Sequence, residues 1–131
     1  METGSRLRRG PGRLAQSHGA LGENAAALYL TKLGYSILAR NFKARVGEVD
    51  IVARDGKITV FVEVKRREKA DHGGAAEFVS ASKIRKVVAA ARLFAAKHGL
   101  SELPVRFDVV AIDGLSGHEQ LRHHKGAFDA R

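Results

Sequence analysis

Apolar residues recur along the chain at two different spacings, which divide it into helices and strands. From about Ser17 to Leu33, Leu21, Ala25, Leu28 and Leu33 fall on one broad side at helical spacing, and Gly34 stops the run. Tyr35 to Lys43 reads as a first strand through Ile37, Leu38 and Phe42. A second strand runs from Val46 or Gly47 to Ala53, and Asp55-Gly56 is a hairpin signal. The third, Lys57 to Arg66, sets Ile58, Val60, Val62 and Val64 on one face. Residues 68–79, with Asp71, Gly73 and Gly74, predict a mobile loop. Ser80 or Ser82 is placed to cap a second helix ending near His98, with Ile84, Val87, Val88, Ala91, Phe94 and Ala95 toward the core and Gly99 closing it. Pro104 precedes a fourth strand, Val105 to Ile112, ended by Asp113-Gly114. The remainder, with His118, His123, His124 and Phe128, reads as a short strand or a turn. The order α-β-β-β-α-β describes one α/β domain over residues 15–131, behind a flexible basic arm over residues 1–14.

Composition removes some functions and favours others. A chain of 131 residues fits one domain with one proper core. With no cysteine, disulfides, zinc fingers and thiol catalysis are excluded, and a reducing cytoplasm is the compartment that fits. No apolar run is long enough to span a bilayer, and the basic N-terminus lacks the apolar segment of a secretory signal, so no membrane role is expected. The formal charge is +9, of which +3 lies within residues 1–20. The +6 left on the body points to a polyanionic partner. Aromatic residues make up 6% and Trp is absent, which favours contact with a phosphate backbone over base stacking.

Candidate chemistry sits where the strands break their own pattern. Strand alternation groups Glu48, Asp50 and Val52 on one face of the second strand, and Thr59, Phe61, Glu63 and Lys65 on one face of the third. Both polar sets interrupt apolar runs, and the hairpin at Asp55-Gly56 brings Asp50 and Glu63 together. Two like charges about 4 Å apart repel by about 4 kcal/mol at an effective dielectric near 20. A divalent cation relieves that repulsion, and Mg²⁺ needs only one or two protein carboxylates. A metal that polarises a phosphoryl oxygen beside a lysine that handles the attacking water is the equipment of phosphodiester hydrolysis. Glu63-Val64-Lys65 supplies the acid and the amine two residues apart. Taken alone, Glu-x-Lys is most often a surface ion pair; Asp50 in apolar surroundings adds weight, because buried acids need partners. Glu23, beside Ala26, Ala27 and Leu30 on the first helix, could point toward the sheet.

Several segments resemble the YraN family of bacterial proteins. They are Gly22-Glu23, Leu33-Gly34-Tyr35, Arg40-Asn41-Phe42, Gly47-Glu48-Val49-Asp50-Ile51, Phe61-Val62-Glu63-Val64-Lys65 and Arg106-Phe107-Asp108-Val109-Val110, in order over most of the chain. That family is similar to the PD-(D/E)xK nuclease superfamily, akin to archaeal Holliday-junction resolvases. The resemblance implies a restriction-endonuclease-like core with a mixed central sheet flanked by helices. It implies Asp50, Glu63 and Lys65 as catalytic residues, and Glu23, Asp50 and Glu63 as holders of Mg²⁺ or Mn²⁺. Glu48 would support the site, and no proline precedes Asp50; Val49 stands there.

Positive charge flanks these residues. Arg40, Lys43 and Arg45 precede the Asp50 strand, Arg66 and Arg67 end the Glu63 strand, and Lys83, Arg85 and Lys86 open the second helix, where the helix dipole also favours phosphate. Each cluster alone is ordinary solvated surface; together they predict a phosphate-binding rim. His123-His124 has no metal-site spacing with acids and reads as incidental, while Arg106 and Asp108 read as structural. The sequence therefore points to a Mg²⁺- or Mn²⁺-dependent endonuclease acting on DNA, with symmetric cutting of two strands favouring a homodimer. Its rivals are a non-catalytic nucleic-acid-binding module with the same fold, and a structural protein held to ribosome or lipid by the basic arm.

Overall fold

The computed structural model describes residues 18–67, 79–114 and 118–130. Its elements are α1 (His18–Lys32), β1 (Ser36–Ala44), β2 (Gly47–Asp55), β3 (Ile58–Arg67), α2 (Ala81–Lys97), β4 (Val105–Asp113) and β5 (Gln120–Phe128). The arm expected over residues 1–14 and nearly all of the loop expected over 68–79 lie outside the described residues. No helix among the described residues is long and apolar enough to cross a membrane.

The strands form one sheet in the order β1-β2-β3-β4-β5. Pairing is antiparallel except between β3 and β4, which run parallel with α2 as their crossover. The β2–β3 hairpin closes through a two-residue turn, with Asp55 opposite Ile58 and Gly56 at φ 63°, a backbone state that glycine enters without steric cost. Val60 and Val62 of β3 meet α1 together with Ile51, Ala53, Val110 and Ile112. Phe61 faces the opposite way, toward α2, with Val49, Val52, Val87, Ala91 and Phe94. The result is the expected mixed sheet with a helix on each face, an α/β fold consistent with a restriction-endonuclease-like core.

Three expectations change. The C-terminal remainder is a nine-residue strand, β5, that extends the sheet beyond β4. The leucine side of α1 does not face the core: Leu21 and Leu28 are each 57% exposed, Leu33 is exposed as well, and Ala25 lies in solvent. The helix instead buries Gly22, Glu23, Ala26, Ala27 and Leu30. That side is mostly of small residues, and a Cβ on Gly22 would stand in ordinary contact, 3.5 Å from the Arg66 Cβ and 3.7 Å from Ile112 Cδ1. The helix seats on the sheet through Gly22, Ala26, Ala27 and Leu30, and Glu23 lies on the same buried side. Finally, His123 is not incidental. Its side chain is buried, bonded to Tyr29 and Asp108.

The second helix behaves as its pattern predicts. Ser80 is the N-cap, its hydroxyl accepting from the Lys83 backbone N–H at 3.1 Å, and Gly99 follows the last turn at φ 69°.

Candidate metal and phosphate site

The β2–β3 ladder pairs Ile51 with Val62 and stops there. One step further along, Asp50 turns its carboxylate into the missing rung: Oδ2 accepts the backbone N–H of Val64 at 2.8 Å. On the other side of β2, β1 pairs Arg40 with Ile51 and Phe42 with Val49, skipping the residue between. That residue, Asn41, has φ 55°, and no other non-glycine among the described residues has a positive φ. Asparagine tolerates this conformation better than most side chains. The sheet thus opens at one end, and Asp50 lies at the opening.

Glu63 sits beside it, 5% exposed, with Oε1 buried and without a hydrogen-bond partner among the described residues. Burial, and then the neighbouring Asp50 charge, push the Glu63 carboxyl up to about 7, with Lys83 and Lys65 opposing. Asp50 is also raised, by burial first, against the Val64 N–H and the Lys83 charge. The Asp50 charge thus opposes ionisation of its neighbour, and Glu63 is the one whose proton is held more tightly. Lys83 reaches in from the first turn of α2, with Nζ 3.8 Å from Glu63 Oε2. Lys65 follows Glu63 on the same strand and is half-buried.

Glu23 enters from α1, 6% exposed. Its Oε1 accepts from Arg40 Nε at 2.9 Å and from Asn41 Nδ2 at 2.8 Å. Burial raises its pKa, Arg40 opposes this, and the Asp50 charge adds to the rise. Asn41 is the residue that sequence reasoning missed, and the signal was there: asparagine is uncommon inside a strand and enriched at positive φ. Glu48 is exposed and touches the pair only through its charge on Asp50.

The donor set suits a hard cation only in part. Among the described residues no three His, Cys, Asp or Glu side chains converge on one point. Asp50 and Glu63 can supply two carboxylates, and a backbone carbonyl a third oxygen, which matches an ion that keeps several waters. A dication would satisfy the partnerless Glu63 oxygen and displace the proton that burial and the Asp50 charge favour on Glu63. Glu23, already holding Arg40 and Asn41, fits a supporting position.

The expected basic rim divides. Arg40 is tied to Glu23, Arg66 to Glu119 at 2.8 Å, and Arg67 to Asp113 at 3.0 Å. Lys43, Arg45, Arg85 and Lys86 are exposed and make no ion pair among the described residues. Arg45, Lys83 and Lys86 line a cleft of about 510 Å³ with Ala44, Gly47, Glu48, Ser80 and Ser82, between the β1–β2 turn and the start of α2. Gly47 makes the cleft tight. A Cβ there would lie 2.1 Å from the Lys86 carbonyl oxygen, so only glycine lets β2 approach the helix this closely.

On the neighbouring strand, opposite Val62, another buried acid is fully engaged. Asp108 is 0% exposed. It accepts from Arg106 Nε at 2.8 Å, Arg106 Nη2 at 2.9 Å and the Gly126 N–H at 3.0 Å, and pairs with His123 Nε2 at 2.7 Å. His123 Nδ1 meets the Tyr29 hydroxyl at 3.1 Å, and Arg106 continues to Tyr35 at 2.8 Å and Asp55 at 3.0 Å. Burial would raise Asp108, but the bonds from His123, Arg106 and Gly126 outweigh it and hold the carboxyl below its ordinary value. This network ties α1, β2, β4 and β5 together.

Residues 22–112 match the model of a family described as uncharacterised protein family UPF0102. A UPF0102 protein of Anaeromyxobacter dehalogenans is 46% identical over 120 residues, covering 92% of this chain and 90% of the relative. One of Symbiobacterium thermophilum is 44% identical over 113 residues, 86% of this chain and 96% of the relative. One of Geobacter sulfurreducens is 46% identical over 112 residues, 85% and 88% of the two chains. The match takes in Glu23, Asp50, Glu63, Lys65, Lys83 and Asp108, and the chain belongs to the UPF0102 family, the YraN proteins that its motifs resemble.

Proposed function

We propose that the protein is a Mg²⁺- or Mn²⁺-dependent nuclease that hydrolyses phosphodiester bonds in DNA. The observation that carries this reading is the Asp50–Glu63 pair, a half-buried acid beside a buried one that has a carboxylate oxygen without a hydrogen-bond partner among the described residues. Asp50 and Glu63 would hold the ion, with Glu23 supporting Asp50 through the charge and hydrogen bonds it organises. When bound, the ion would polarise a phosphoryl oxygen and make a water more acidic. Lys65, two residues from Glu63, orients the attacking water and offsets negative charge on the phosphate. Arg45, Lys83 and Lys86 hold the nucleic-acid backbone along the cleft, at the start of α2.

A cleavage assay tests this. Wild type and Asp50→Ala are compared on branched, flapped and linear DNA with Mg²⁺ and with Mn²⁺. Cutting by wild type that Asp50→Ala lacks supports the reading; equal cutting by both is contamination and removes it. Salt-sensitive binding without cutting under either metal leaves the alternative, a nucleic-acid-binding module that keeps the fold.

A further inference from the structure

Lys83 has a relation to the acids that a phosphate contact does not exhaust. Two lysines act on Glu63, Lys65 from its own strand and Lys83 from α2. Lys83 makes the ion pair, at 3.8 Å, and its charge also reaches Asp50. Its placement is built. The Ser80 hydroxyl holds the Lys83 N–H, the Ser80 carbonyl accepts from Ile84 N at 2.9 Å, and Gly47 lets β2 lie against the Lys86 carbonyl. The side chain is half-buried, and it lines the cleft with Arg45 and Lys86. One cation of the protein's own therefore stands beside the two acids, at the mouth of the cleft where a phosphate would enter.

We infer that Lys83 is an internal competitor of the divalent cation: its ammonium neutralises the Asp50–Glu63 pair in the metal-free protein and passes to a substrate phosphate in the cleft when the cation takes the carboxylates. This rests on the metal-dependent reading above. The two roles of one side chain have opposite signs. Removing the ammonium leaves the acids in a more negative field and favours the cation, while the phosphate loses a contact. By linkage, nucleic acid that draws Lys83 away from Glu63 tightens the cation, and the cation tightens nucleic acid by the same factor. Lys86 gives an internal contrast, since it lines the same cleft and makes no ion pair among the described residues.

The test uses the full chain as wild type, Lys83→Met, Lys83→Gln and Lys86→Met, with Mn²⁺ affinity measured by calorimetry and duplex DNA affinity across a salt series. Methionine keeps the stem and leaves the backbone N–H on Ser80, and thermal melts identify whichever Lys83 variant is folded. Lys83→Met is expected to bind Mn²⁺ about two- to fivefold more tightly, the size of a partly exposed ion pair. It binds DNA more weakly, with the log–log salt slope shallower by about one. Lys86→Met weakens DNA binding alone. General structural damage would loosen Mn²⁺, so a gain in affinity is specific to competition. Equal or weaker Mn²⁺ binding by folded Lys83 variants, with the Asp50 dependence of binding intact, overturns this inference and leaves the metal site standing. Mn²⁺ binding that does not depend on Asp50 in any variant overturns both.

Discussion

Two buried acids on neighbouring strands of the same sheet have opposite fates. Asp108 on β4 is closed to solvent, and both of its oxygens are claimed by Arg106, His123 and the Gly126 backbone. Glu63 on β3 is almost as deeply buried, yet one oxygen has no partner among the described residues, and its main neighbour is another acid. The carboxyl of Asp108 is held low and that of Glu63 is pushed to about 7. A protein has reason to bury an acid that its own groups stabilise. An acid stabilised only by a lysine at 3.8 Å, with an oxygen left unpartnered, costs stability and marks a candidate functional site. Burial alone would have ranked the two residues equal; the state of their lone pairs separates them.

The largest effect should come from breaking the satisfied acid. Asp108→Ala strands Arg106 and His123 in the interior and is expected to cost about 3–5 kcal/mol in urea denaturation. Glu63→Gln, by contrast, removes a repulsion and should leave stability unchanged or raise it by about 1 kcal/mol at pH 8. Equal losses at both positions would erase the distinction. Gly47→Ala comes next. The new methyl would have to displace the Lys86 backbone, for an expected loss of about 1–3 kcal/mol in the same measurement.

The pH dependence of stability sharpens the contrast, because the two acids have opposite signs. Glu63 binds its proton more tightly folded than unfolded, so its contribution is favourable at low pH and is lost as pH rises from its ordinary 4.5 through about 7. Asp108 is depressed, so its contribution is present above the ordinary 3.8 and is lost as pH falls through its lower folded value. Metal-free melts of Glu63→Gln should therefore lose the decline between pH 5 and about 7 that wild type shows, while keeping the acid limb. Ser80→Ala should have the smallest effect, about 1 kcal/mol from the lost cap, with a looser Lys83 and weaker DNA binding.

Much of this was legible in the residues, and the rest failed for identifiable reasons. Strand alternation and the Asp55-Gly56 turn were enough to bring Asp50 and Glu63 together, since a hairpin register is local information. The Ser80 cap and the buried side of α2 were legible for the same reason. The buried side of α1 was not. Alanine and leucine occupy different sides of that helix, and periodicity cannot say that the smaller side packs more closely. The Asp108 network depends on Tyr29, Asp55 and His123, residues brought together only by the completed sheet, so no spacing rule reaches them. The pairing of Arg66 with Glu119 and of Arg67 with Asp113 is hidden in the same way, and it leaves the cleft-lining cations Arg45, Lys83 and Lys86 at the β1–β2 turn and the start of α2.

The central claim is that the Asp50–Glu63 pair holds its proton in place of a divalent cation. Calorimetric titration of Mn²⁺ at pH 6 and pH 8, in buffers of different ionisation enthalpy, tests it most directly. The account predicts saturable binding that is tighter at pH 8, with about one proton released at pH 6 and little at pH 8, and no such binding in Asp50→Ala. Mn²⁺ binding that ignores both pH and the Asp50 side chain, or no saturable binding by wild type at either pH, would contradict it.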